Sequence, residues 1–180
     1  MDDVKKYNNQ SRVDLSVVRT PARIAVYDDL KAPPKVLTIN PDLTNNFIEK
    51  LSSSIYDESN KKGGKIPYTV IREIAENFIH ASFCEVVVSI LDNGNTIRFS
   101  DQGPGFSDIE NAKLPGFTSA TESMKQYIRG VGSGLPTVLD YLNFSDGNLK
   151  IENNLKNGSV VTISMLENLK SSSAFSLITV

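Results

Sequence analysis

A two-layer α/β (α+β) sandwich is the fold class this sequence predicts. Three observations carry it. Helical and hairpin patterns fall in two separate groups along the chain rather than alternating as βαβ units. An Asn93-Gly94 turn between two β-rich runs is a strong short-range hairpin signal. The segment "SVVTISML" alternates Val161, Ile163 and Met165 with Thr162 and Ser164, as a sheet buried on one face requires.

The totals allow one domain. The chain has 180 residues, 39% hydrophobic and 22% charged, which suffices for a real core. A net charge of −2 leaves no electrostatic footprint for nucleic acid or an anionic membrane, so neither is expected as a partner. Cys84 is the single cysteine, which excludes an internal disulfide and a cysteine-based zinc site. It is expected as a buried, inert thiol near the start of a strand. There is no signal-peptide pattern at the start and no apolar run of roughly 18 residues, so the expected address is the cytoplasm.

Residues 1–35 read as an extension suited to partner binding. Val13 to Val18 and Ile24 to Tyr27 could form short strands, but Pro21, Pro33 and Pro34 interrupt anything longer. The domain proper is expected over 36–166. Val36 to Ile39 reads as a strand, and Asn40 and Pro41 as the N-cap and first position of a helix. In that helix Leu43, Phe47, Leu51 and Ile55 form one apolar stripe, and "NKKGGK" ends it. Pro67 opens a second helix, running to about Ser82. The hairpin of "CEVVVSIL" and "NTIRFS" follows. A glycine-rich loop then extends to Gly134, a helix runs from Leu135 to Leu142, and "NLKIEN" with "SVVTISML" closes the sheet. Residues 167–180 read as a mobile tail, with "FSLITV" as a candidate edge strand.

Three stretches carry chemistry. On the second helix Val70, Ile71, Ile74, Ala75, Phe78, Ile79 and Ala81 cover one side. Arg72, Glu73, Glu76, Asn77 and His80 cover the other. That polar side reads either as a solvated face with Arg72–Glu76 an exposed i, i+4 pair, or as a site. Glu73, Asn77 and His80 form a line spaced four and then three. The Asn77 amide oxygen suits Mg²⁺, and Glu73 could take a proton from an attacking group. "DQGPGF" places Asp101 at a strand end, able to accept from an exocyclic amine, with Gly103 and Gly105 beside it to admit a flat ring. The same residues also suit an ordinary turn. "GVGSGL" (Gly130, Val131, Gly132, Ser133, Gly134, Leu135) precedes a helix and outlines a phosphate cradle. It lacks the Lys-Ser/Thr of a Walker A loop. The intervening loop has lid length, and its Lys113, Thr118, Ser119, Lys125 and Arg129 are phosphate candidates, Arg129 foremost.

Together and in this order, "EIAEN", "DQGPG" and "GVGSGL" resemble the N, G1 and G2 boxes of the GHKL ATP-binding superfamily, over about Val36 to Leu166. The resemblance implies the Bergerat fold, a mixed and mostly antiparallel sheet with helices on one face and a long ATP lid. It also implies ATP and Mg²⁺ as cofactors. By motif position it makes Glu73 the general base, Asn77 the Mg²⁺ ligand and Asp101 the adenine reader. Gly103 and Gly105 would back the adenine, Gly130, Gly132 and Gly134 would cradle phosphates, and Gly158-Ser159 resembles the Gly-Thr of the last strands.

Histidine kinases usually carry Asn where Glu73 stands. A neutral imidazole offers phosphorus a lone pair directly, whereas serine or water must lose a proton. Glu73 therefore points to transfer onto a hydroxyl, or to hydrolysis. His80 is the only histidine, so autophosphorylation on an upstream helical histidine is not expected. The layout is similar to the anti-sigma-factor serine kinases, which implies a sigma factor or a phosphoacceptor protein as partner and allows a homodimer. "ENFIHA" is closer in style to MutL, so a slow MutL-like ATPase switch and a non-catalytic nucleotide-sensing module stand as alternatives.

Overall fold

The computed structural model describes residues 14–29, 31–129, 132 and 134–165. Eight strands form two sheets: β1 (Val17–Val18), β2 (Ala22–Val26), β3 (Lys35–Ile39), β4 (Asp42–Leu43), β5 (Val87–Leu91), β6 (Thr96–Ser100), β7 (Gly147–Asn153) and β8 (Ser159–Met165). The helices are α1 (Thr44–Lys61), α2 (Tyr68–Glu76), α3 (Ile109–Ala112) and α4 (Gly134–Phe144). The main sheet has six strands in the order β3-β2-β5-β6-β8-β7, and β1 pairs with β4 in a ribbon. All pairings are antiparallel except β2 with β5.

Register turns the alternation into a core. Ile24, Val88, Phe99, Val161 and Ile151 align as one row across the sheet, and Val26, Ile90, Ile97, Ile163 and Leu149 as a second. Every member but Leu149 is buried. The helices cover this face: Phe47, Ile48, Leu51 and Ile55 from α1, and Ile71, Ile74 and Ala75 from α2, join the same cluster. Arg23 and Arg98 point to the other face and are exposed. One apolar face per sheet is what a two-layer sandwich needs, and the expected class is the observed one.

The boundary expected at residue 36 falls inside this sheet. β2 lies between β3 and β5, with Ala22, Ile24 and Val26 fully buried. The prolines delimit strands here rather than forbid them. Pro21 immediately precedes β2, and Pro33 and Pro34 sit in the connection to β3, where no ladder N–H is demanded of them. Residues 1–13 and the tail at 167–180 lie outside the described residues.

Helix α1 begins at Thr44 rather than at Pro41. Asp42 and Leu43 pair with Val18 and Val17, and Thr44 donates from its backbone N–H to Ser16 O at 3.0 Å. Strand pairing from a distant segment overrides the local capping signal. The expected helix to Ser82 divides: α2 ends at Glu76, and Asn77–Ala81 continue as a 3-10 turn. The hairpin forms as expected, with Asp92, Asn93 and Gly94 all at positive φ. No helix among the described residues is long and apolar enough to cross a membrane.

Candidate functional site

A cleft opens between α2 with its 3-10 extension, the end of β6, the start of α4 and the long loop from Gln102 to Arg129. It encloses about 940 Å³ of space, part of it open to solvent. Glu73, Asn77, His80, Asp101, Gly105, Thr118, Gly132, Gly134, Leu135 and Ser159 all line it. Four chain segments that the sequence separates by up to dozens of residues therefore share one cavity.

Local structure explains the polar line on α2. Glu73 and Asn77 are one α-turn apart, and the 3-10 geometry after Asn77 eclipses residues three apart, so His80 falls directly in line with it. Burial pushes the Glu73 carboxyl above its ordinary value of 4.5, and the Glu76 charge adds to this, against smaller opposing effects of Arg129 and Arg72. Burial alone lowers the His80 imidazole below 6.5, which favours its neutral form. His80 Nδ1 lies 3.4 Å from Ser119 Oγ across the cleft.

Asn77 Nδ2 is buried without a hydrogen-bond partner. Such a group is costly unless something in the cleft completes it. Carboxamide and carboxylate oxygens are the hard donors that Mg²⁺ accepts. Among the described residues no group of three or more His, Cys, Asp or Glu side chains stands together to hold a metal alone. The donors present therefore fit a cation that shares its coordination with phosphate and water, not a dedicated protein cage.

Asp101 closes the floor. It is 5% exposed and held on both oxygens: Oδ1 accepts the Gly103 N–H at 2.8 Å, and Oδ2 accepts the Ser159 hydroxyl at 2.5 Å. The carboxylate is thus fixed in orientation, with lone pairs left for a donor in the cleft. Gly158 makes this approach possible. It has φ +90°, and a Cβ there would stand 2.1 Å from Asp101 O. Gly134 is the first residue of α4, and a Cβ on it would lie 2.9 Å from Glu73 Oε2. The helix N-terminus and the carboxylate therefore face each other at close range.

Some expected residues sit elsewhere. Gly103 packs behind the cleft, its Cα against Ala81, and does not line it. The Arg129 side chain is 60% exposed and also outside the lining. Lys113 and Lys125 are paired with Glu110 and Glu122 at 2.9 and 2.5 Å, away from the lining. Gly130, Val131 and Ser133 lie outside the described residues.

The Arg72–Glu76 pair, which the solvated-face reading would leave exposed, is buried, at 6% and 2% exposure. Arg72 Nε donates to Glu76 Oε1 at 2.8 Å, and Arg72 also pairs with Glu49. Arg72 also meets Tyr68 within α2, and the loop reaches the pair through the Arg129 N–H, which donates to Glu76 Oε2 at 2.9 Å. Glu76 lines the cleft and is the residue the sequence reading passed over. Its signal was present, since it stands three after Glu73 and directly before Asn77. Phe106, Phe117 and Ile128 supply apolar wall from loop positions with no periodicity to reveal them.

The chain is similar to known proteins. The family model described as histidine kinase-, DNA gyrase B-, and HSP90-like ATPase matches residues 41–169. Over 83 residues the chain is 34% identical to the C4-dicarboxylate transport sensor protein DctB of Pseudomonas aeruginosa, which covers 45% of this chain and 13% of that protein. The DIP2311 protein of Corynebacterium diphtheriae superposes with a TM-score of 0.68 at 16% identity, over 83% of this chain and 34% of that one. The mycobacterial sensor histidine kinase MprB gives a TM-score of 0.42 at 14% identity, over 66% of this chain and 94% of that one. The chain thus spans about an eighth of the DctB sensor and a third of the DIP2311 protein. The likeness to the DIP2311 protein is one of fold, and the mixed sheet with helices on one face is consistent with the Bergerat fold. The matched segment carries α2, the Asp101 turn, the long loop and α4, and the chain belongs to the histidine kinase-, DNA gyrase B-, and HSP90-like ATPase family.

Proposed function

We propose that this chain binds ATP with Mg²⁺ in the α2–α4 cleft and passes the terminal phosphoryl group to a hydroxyl, as a regulatory serine/threonine kinase of the anti-sigma-factor type would. The observation that carries the reading is the close facing of the Glu73 carboxylate and the start of α4 at Gly134. A phosphate held by free N–H groups at that helix start lies beside a carboxyl whose proton affinity burial has raised.

Each residue has a part in this scheme. Asp101, oriented by Gly103 and Ser159, accepts from the exocyclic amine of adenine. Gly105 and Phe106 flank the base, and Gly132, Gly134 and Leu135 meet the phosphates. Asn77 holds the cation through its amide oxygen. Bound Mg²⁺ supplies charge neutralisation on the phosphate oxygens. Glu73 takes the proton of the attacking hydroxyl, and the loop with Thr118 and Ser119 excludes water from the cleft. A sigma factor or other phosphoacceptor protein would be the partner.

Calorimetric titration of ATP with and without Mg²⁺ tests the pocket. Mg²⁺-dependent binding in the wild type, weakened in Asp101→Asn, supports it. No binding in any sample refutes it. Glu73→Ala is expected to abolish transfer of the terminal phosphate while binding persists, and unchanged transfer refutes the role of Glu73. Phosphate release without any protein acceptor would favour the slow ATPase switch. Tight binding without turnover would favour the sensing module.

A further inference from the structure

The Glu76 carboxylate takes no part in the chemistry above, yet it is the most deeply buried charged group among the described residues. Its two oxygens are both engaged. Oε1 accepts from Arg72 Nε at 2.8 Å, and Oε2 accepts from the backbone N–H of Arg129 at 2.9 Å, fifty-three residues away. Arg72 carries the connection onward to Glu49 on α1. The Arg129 guanidinium is not the holding group. Its Nε stands 3.8 Å from Oε1 and its side chain is 60% exposed.

Apolar attachment of the loop is partial: Phe106, Ile109, Ala112, Met124, Tyr127 and Ile128 pack against the core without being buried. From Pro104 to Arg129 no side chain is buried. The described hydrogen bonds that join this segment to the sheet-and-helix body are the Ser119–His80 contact at 3.4 Å and the Arg129–Glu76 bond. Within the loop, the Gly116 N–H donates to Gly132 O at 2.9 Å. Arg129 is also the last described residue before the glycine run that leads into α4. A buried carboxylate bonded by a charged partner and a backbone amide is a strong, directional anchor.

We propose that Glu76 is the positioning residue of the loop's C-terminal root: by fixing the Arg129 amide it sets where the end of the loop stands relative to Glu73 on α2. Its consequence for phosphate placement rests on the nucleotide reading above, but the anchor itself does not.

The test is amide hydrogen exchange on the full chain without nucleotide, resolved by residue. In Glu76→Gln, which keeps one acceptor oxygen and loses the other, the Arg129 amide should exchange at least ~10-fold faster. The Val88 and Ile90 amides in β5 should stay within about twofold of wild type. Arg129→Ala keeps the backbone donor and should keep the slow exchange. Unchanged Arg129 exchange in Glu76→Gln overturns the proposal. So does faster exchange throughout β5, which would make Glu76 only a core residue, or equal loosening by Arg129→Ala. If Glu76→Gln does not fold, Arg129→Pro deletes the donor and leaves the Glu76–Arg72 pair. The Gly116 amide should then exchange ~10-fold faster, and no change there overturns the anchor. A stopped-flow chase of a fluorescent ATP analogue adds the functional arm, with dissociation expected ~10-fold faster in Glu76→Gln. A wild type that shows the anchor by exchange but binds no analogue would uphold the anchor and remove the nucleotide reading.

Discussion

Across the cleft, α2 and the loop from Gln102 to Arg129 differ in how far each is withdrawn from water. Six of the nine α2 residues are buried, including the charged Arg72 and Glu76. In the loop none is, and α3 within it buries nothing. Yet the two meet the same cavity. The buried wall holds groups whose chemistry depends on a fixed environment: the Glu73 carboxyl that burial raises, the Asn77 amide whose Nδ2 has no partner, and the His80 imidazole that burial lowers. The loop contributes cover through partly buried contacts of Phe106, Ile109, Ala112, Met124, Tyr127 and Ile128 with the core, and contacts of that kind cost less to break than the fully buried ones of the body. One side of the site is built for preorganisation and the other for exchange.

Stability measurements should expose this contrast most strongly. Phe99 is 1% exposed and packs against Phe78 with ring centroids 6.2 Å apart. Phe99→Ala should destabilise the fold by about 3–5 kcal/mol in denaturant unfolding. Phe117, 41% exposed in the loop, should cost within about 0.5 kcal/mol when truncated. Similar losses at the two positions would break the comparison.

Binding gives the next largest effect. Asp101→Asn keeps an acceptor for the Gly103 N–H, so its fold should persist, but a charged acceptor is lost from the floor. A charge-assisted hydrogen bond is worth about 1.5–3 kcal/mol, which corresponds to roughly 10- to 100-fold weaker ATP binding by calorimetry. Full affinity in the variant would move adenine recognition away from the rigid floor.

A smaller, pH-dependent effect separates the fixed groups. The folded protein holds His80 below its ordinary 6.5. The stability this group carries is present above that value and is lost as pH falls through the lower folded-state value. Wild type should therefore lose stability relative to His80→Asn as the pH falls below 6.5, read from denaturant midpoints. Glu73 has the opposite sign: its folded-state value is raised, so its contribution is present below 4.5 and lost as pH rises through that value. A flat difference curve for His80 would mean that the imidazole is solvated and the wall is not dry.

The smallest effects belong to the loop cations. Lys113→Ala and Lys125→Ala remove surface pairs to Glu110 and Glu122. Each should change stability by less than about 0.5 kcal/mol and leave ATP affinity within about twofold. A tenfold loss of affinity in either would show that the loop delivers cations to the phosphates on closure.

Much of the site was legible because chemistry repeats at helical and turn spacings. Glu73, Asn77 and His80 share a line by period alone, and glycines before a helix announce a close backbone approach. Glu76 was harder to read. An Arg at i and a Glu at i+4 look alike in sequence whether or not water reaches them, and here distant segments engage the pair, Glu49 of α1 at Arg72 and the Arg129 N–H at Glu76. The α1 start was misread for a similar reason, since Asn40 and Pro41 form a good local cap and the Val17–Val18 pairing outweighs it.

The sequence by itself determined the two-layer class, the Asn-Gly hairpin, the apolar stripes of α1 and α2, and the polar residues of the three boxes. Each of these follows from local propensity and periodicity, which act between neighbours along the chain. Tertiary structure alone decided that β2 enters the sheet between β3 and β5, that Arg72 and Glu76 leave water, and that the Arg129 side chain stays outside while its backbone is held. Those outcomes depend on which distant segments cover which faces, and burial, not residue type, sets whether a charge is solvated or anchored.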